Sequence, residues 1–147
     1  MITRRQTLVG AAAAAILGPS LIRPALADST TRLFFYQIYS KGTTLSDLAM
    51  SLQGKKVEIV GFMAPPLKTQ VPFFVLTDVP METCPFCDEI AFWPDNIIYA
   101  TSDAVLETVS FDRQIRVSGM LDLGPQTDPE TGFVSLVRLQ HVGVTRA

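Results

Sequence analysis

The sequence predicts a mainly β fold, a small five-stranded barrel with one short N-terminal helix, on three observations. Five segments after residue 55 alternate apolar and polar residues at period two, the spacing of strands with one buried face. Glycines stand inside two of them, at Gly61 and Gly119, where small barrels bend or bulge. The chain has 147 residues and is 48% hydrophobic, enough for one domain with a true core and too little for two.

The elements follow in order. After a lead-in from Asp28 to Lys41, Thr44 is placed to cap a short helix, with Asp47 three residues on as its reciprocal partner. Leu45, Leu48, Ala49 and Leu52 fall on one face of that helix, and Gly54 closes it. Lys56 to Met63 is the first strand, Phe73 to Val79 the second, and Asn96 to Thr101 a short third. Ser102 to Thr108 is expected to form a turn or two of helix. Arg113 to Leu123 is the clearest strand: Ile115, Val117, Gly119, Leu121 and Leu123 share a face opposite Gln114, Arg116, Ser118 and Asp122. Gly124 to Gly132, with Pro125 and Pro129, is a turn, and Phe133 to Val144 is the last strand. Five strands with a short helix or turn between strands 3 and 4 is the ordering of an OB-like barrel.

Residues 1–27 read as an address, leaving residues 28–147 as the single domain. A basic start, Thr3-Arg4-Arg5-Gln6-Thr7-Leu8, leads into a mild apolar run dominated by Ala11–Ala15. Pro24-Ala25-Leu26-Ala27 then supplies the small residues that signal peptidase accepts. The paired arginines resemble a twin-arginine export signal, with Thr7 in place of the usual Phe. The resemblance implies a periplasmic protein exported already folded, which suits a cofactor or metal loaded beforehand.

Charge narrows the partners. Arg4, Arg5 and Arg23 account for three of the 12 basic residues, and none of the 14 acidic residues precedes Asp28. The domain therefore holds nine basic against fourteen acidic residues, a net charge of −5. An acidic surface repels the phosphate backbone, so no nucleic acid is expected as a partner. No apolar run is long enough for a permanent membrane anchor. No glycine-rich phosphate loop is present, so no nucleotide cofactor is expected. The expected partner is an envelope protein that the sequence does not identify.

Leu52-Gln53-Gly54-Lys55-Lys56-Val57-Glu58-Ile59-Val60-Gly61-Phe62-Met63-Ala64-Pro65 resembles the opening of a family of small exported bacterial proteins of unestablished function. Its members read Leu-x-Gly-Lys-x-Val-x-Ile-x-Gly-(Phe/Tyr)-Met-x-Pro. A Phe-Leu-Leu strand, a cysteine and a proline-rich stretch follow, matched here by Phe74-Val75-Leu76, Cys84 and Pro94 to Tyr99. The family's cysteine is commonly followed by Ile-His, where this chain has Asp88-Glu89 after Cys87. The resemblance implies a fold and an exported location, and no reaction.

The one chemical constellation is Cys84-Pro85-Phe86-Cys87, in the loop between the second and third strands. This spacing brings two sulfurs together within one turn, as a dithiol/disulfide couple or as two soft metal ligands. The tetrapeptide resembles that of thioredoxin-like oxidoreductases, but those need a long helix after the first cysteine, and Pro94 interrupts here. Asp88 and Glu89 would also disfavour a neighbouring thiolate. Three readings stand. A stapling disulfide would contribute only about 2 kcal/mol, because the closed loop is so short. A redox couple would serve a thiol-disulfide protein. A metal site would use both thiolates for Cu(I), with Met81 or Met63 as a soft third ligand; Zn²⁺ would need Asp88, Glu89 or His141. The metal reading leads because of the export route, with Cys84, Cys87 and Met81 as its ligands. A structural or adaptor subunit of an envelope complex is the remaining alternative.

Overall fold

The computed structural model describes residues 29–66, 68–82 and 95–147. The expected export signal, residues 1–27, and the segment holding Cys84 and Cys87 lie outside the described residues. The elements are β1 (Thr31–Arg32), α1 (Phe35–Ile38), β2 (Tyr39–Lys41), β3 (Thr44–Leu45) and α2 (Asp47–Ser51). The longer strands follow: β4 (Lys56–Met63), β5 (Phe73–Thr77), β6 (Ile98–Thr101), β7 (Gln114–Thr127) and β8 (Val134–Arg146). Among the described residues the fold is mainly β with two short helices.

The five expected strands are present as β4 to β8. β4 alternates strictly: Val57, Ile59, Gly61 and Met63 are buried, and the residues between them are half-buried. That alternation sets the register of its ladder with β7, from Lys56 opposite Met120 to Phe62 opposite Gln114. β4 also pairs antiparallel with β5, β5 with β6, and β7 with β8. The pairing of β6 with β8 is parallel, Tyr99 opposite Arg138 and Ala100 opposite Leu139. The pairings thus run β4–β5–β6–β8–β7 and return to β4. Ile59, Leu76, Ile98, Val117, Leu121 and Leu139, each at most 1% exposed, belong to the main hydrophobic core of these strands. Phe35, Ile38 and Ala49 close one side of this core from the two helices.

Four local expectations are corrected. Thr44 does not cap α2, because it pairs with Lys41 in the β2–β3 ladder; Ser46 caps instead, its hydroxyl accepting from the Ala49 N–H at 3.0 Å. On that helix Ala49 and Leu52 are buried, but Leu48 is exposed, so the apolar face is narrower than its spacing implied. Ser102–Thr108 forms no helix. Its neighbours supply other partners for the backbone: the Ser102 N–H donates to the Pro72 carbonyl at 2.7 Å, and the Val109 N–H to Met63 Sδ at 3.4 Å. The segment is a strap between β6 and β7, with Leu106 and Val109 packed on the core. Finally, β7 does not end at Leu123. It passes through a bulge at Gly124, where φ is +111°, and ends at Thr127. The lead-in contributes β1, which pairs parallel with β4, together with α1 and β2.

Candidate functional site

The segment that carries Cys84 and Cys87 leaves the sheet after β5 and re-enters it at β6, two neighbouring strands. Cys84, Cys87, Asp88, Glu89, Phe92 and Trp93 lie outside the described residues, so the site is approached through its two ends. At the exit, Thr77 is fully buried, and its hydroxyl donates to the carbonyl of Val79 at 2.8 Å. At the return, the Tyr39 hydroxyl donates to the Ile97 carbonyl at 2.7 Å. Burial drives the Tyr39 hydroxyl pKa well above the ordinary phenol value, so the donor keeps its proton throughout the physiological range. β2 thereby fixes the point where the chain rejoins the sheet.

Met81 stands at the exit end. It is half-buried and packs with Phe73, Ile97 and Phe133 on a small cluster formed by Ala64, Val75 and Tyr99. Phe73 and Tyr99 have ring centroids 5.5 Å apart, and Tyr99 and Phe133 stack at 5.3 Å with planes inclined 26°. A thioether packed on an aromatic cluster is a favourable contact. Burial, reinforced by the Asp128 carboxylate, pushes the Tyr99 hydroxyl up to about 12. Asp128 opens the turn into β8 and accepts from the Glu130 and Thr131 N–H groups and the Thr131 hydroxyl. Burial would raise its pKa, but the bonds from Thr131, Glu130 and Tyr99 outweigh that and hold it low.

The other candidate ligands are elsewhere. Met63 is 2% exposed in the main core, and its sulfur accepts from the Val109 N–H, so it does not join Met81. His141 belongs to the opposite end of β6. Its Nδ1 lies 2.7 Å from Asp103 Oδ1, beyond the C-terminal end of β6, whereas the cysteine segment enters at the N-terminal end. Its backbone is left-handed, φ +53°, inside β8. Among the described residues, no group of three His, Cys, Asp or Glu side chains could hold a metal ion.

Sequence reasoning missed a buried ion pair. Arg138 is 7% exposed; its Nε donates to Asp122 Oδ2 at 2.8 Å, and its Nη1 to the carbonyls of Gly124 and Ser135 at 2.7 and 3.0 Å. Gln53 joins them across the fold: its Nε2 donates to Asp122 Oδ1, and its Oε1 accepts from the Leu123 N–H. The one available signal was Arg138 between Val137 and Leu139, a charge in an otherwise apolar run.

No family model matches the chain, and no curated protein matches it. Among solved structures it is similar to a DUF3299 family protein from Pseudomonas aeruginosa PAO1, determined by crystallography. The two share 17% identity and superpose with a TM-score of 0.54, over 81% of this chain and 97% of that one. At that identity the likeness is one of fold.

Proposed function

We propose that this is an exported, periplasmic accessory protein that binds or delivers a soft metal ion, Cu(I) or Zn²⁺, through Cys84 and Cys87. Met81 is its third ligand. The observation that carries the reading is the position of Met81. It precedes the Cys-x-x-Cys pair by three residues, and its side chain packs in an aromatic, half-buried setting at the root of that segment. Two thiolates and a thioether are a donor set suited to Cu(I). His141 is engaged with Asp103 at the other end of β6, so a zinc site would depend on Asp88 or Glu89 instead.

The body of the protein is, on this proposal, an OB-like barrel of five strands. The return of the pairings from β7 to β4 supports it, as does the parallel pairing of β6 and β8, the third and fifth of these strands in chain order. Export rests on the paired arginines and the small residues before Asp28. Among the described residues no helix is long and apolar enough to cross a membrane.

The test is titration of the reduced protein with Cu(I), followed by native mass spectrometry. One equivalent should bind, protect both cysteines from alkylation, and be lost in Cys84→Ser and in Cys87→Ser. Met81→Leu keeps the packing and should weaken binding roughly tenfold. Affinity should fall with pH, since protons compete for the thiolates. Mixed disulfides trapped on only one of the two cysteine variants would replace the metal reading with a redox one. A permanent disulfide in the exported protein, with no metal bound after reduction, would leave a staple.

A further inference from the structure

A second site lies at the opposite end of β6 from the cysteine segment. The strap between β6 and β7 crosses the C-terminal part of β8 and encloses a groove of about 340 Å³. Leu106 of the strap, Ile115 of β7, and Val142 and Val144 of β8 form apolar walls. Glu107 of the strap and Arg146 of β8 complete the lining. Both are exposed, they do not pair with each other, and neither makes an ion pair or side-chain hydrogen bond among the described residues.

The groove is held open by its own frame. Leu106 packs on the main core and Val109 beside it, while the Leu106 N–H reaches the Val71 carbonyl at 3.4 Å. Pockets of this kind, apolar with a few polar groups at the rim, are where small ligands bind. A groove of about 310 Å³ on the other side of the strap shares Leu106 and Glu107 but has no cationic residue in its lining.

We infer that the groove between the strap and β8 binds a free apolar α-amino acid. Its carboxylate would meet the Arg146 guanidinium, its ammonium the Glu107 carboxylate, and its side chain the valine and leucine wall. The two unpaired charges of opposite sign make the case. A fatty acid would leave Glu107 opposed to its own charge, and an amine would do the same to Arg146. A ligand carrying both charges pairs with both residues at once, and an apolar side chain matches the remainder. The site uses none of the cysteine chemistry.

Titration of the isotopically labelled protein with L-leucine, N-acetyl-L-leucine and L-leucinamide, read by amide chemical shifts, tests this. Leucine should shift the resonances of 105–109 and 142–146 saturably, and each blocked derivative should bind roughly fivefold more weakly. Arg146→Gln should remove the preference for leucine over leucinamide, and Glu107→Gln the preference over N-acetyl-leucine. Both residues are exposed, so both variants should fold. Equal binding of all three compounds would overturn the inference. Shifts confined to other regions, or no saturation at millimolar leucine, would do the same.

Discussion

Gly61 on β4 lies so close to Thr77 on β5 that a Cβ at position 61 would stand 2.6 Å from the Thr77 carbonyl oxygen. The obstacle is backbone, and it belongs to the pairing that joins the two strands: Phe62 opposite Thr77, and Met63 opposite Leu76. Phe35 presses on the same point from α1, 3.0 Å from where that carbon would be. Gly61→Ala should therefore cost about 1–3 kcal/mol, the usual range for overpacking a filled core. At Gly143, by contrast, the nearest atom to an added Cβ is Ser118 Oγ at 3.5 Å, an ordinary contact. Gly143→Ala should be neutral or slightly stabilising, since it restricts the unfolded chain without strain. Denaturant melts of the two variants should separate clearly, and equal destabilisation would contradict the close approach at Gly61.

Asp122 gives the acid limb of stability a specific residue. The hydrogen bond from Arg138 is the largest influence on its carboxyl and, with those from Gln53 and Leu123, holds the pKa below the usual value. A depressed folded-state pKa contributes stability that is complete above the unfolded value, about 4, and is lost as pH falls through the folded one. Asp122→Asn should cost about 1–3 kcal/mol near neutral pH, because Arg138 loses its counter-charge. Below pH 4 the gap between variant and wild type should shrink progressively. Melts at pH 7 and pH 3 measure it, and a gap unchanged between them would mean that the ion pair is not what Asp122 contributes.

The alkaline limb is shared by Tyr99 and Tyr39, whose hydroxyl pKa values are both raised by burial. The Tyr99 hydroxyl titrates at about 12, against 10 in the unfolded chain, because burial and the Asp128 carboxylate both oppose the phenolate. A raised value contributes stability that is complete below the unfolded pKa and disappears as pH rises through the folded one. Stability should decline between pH 10 and 12, and Tyr99→Phe should make that decline shallower, the remainder belonging to Tyr39. Ultraviolet difference titration gives the phenolate directly. Ionisation of Tyr99 near pH 10 in the native protein would show that the ring is not enclosed by Phe73, Phe133 and the Asp128 turn.

The strands were legible because burial on one face imposes alternation, and β4 shows it without exception: its bounds match the sequence reading residue for residue. The strap was not. Ser102–Thr108 resembles a helical stretch only while its own residues are considered, and its N–H partners, Pro72, Val71 and Met63, are distant in sequence. The cap of α2 was misplaced by two residues because Thr44 is claimed by Lys41 in the short β2–β3 ladder. At the candidate site, Cys-x-x-Cys and Met81 were visible as neighbours in the sequence. Tyr39, which anchors the far end of their segment, is 58 residues from Ile97, and no local pattern joins them. The Arg138–Asp122 pair was hidden similarly, because strand alternation assigns faces and does not say which polar residue on a face is covered.

The return of the pairings to β4 also bears on how the chain reaches this state. β4 is made early, yet its longest ladder is with β7, which follows only after two further strands, the cysteine segment and the strap. β6 has four residues and, apart from β5, relies on β8, a strand later still. No N-terminal portion of the sheet can complete itself while the rest is being synthesised. Assembly must be late and concerted, limited by the entropy of closing long loops rather than by any local element. A chain built this way spends its slowest interval with unpaired strand edges, and whatever protects it then acts before the fold exists.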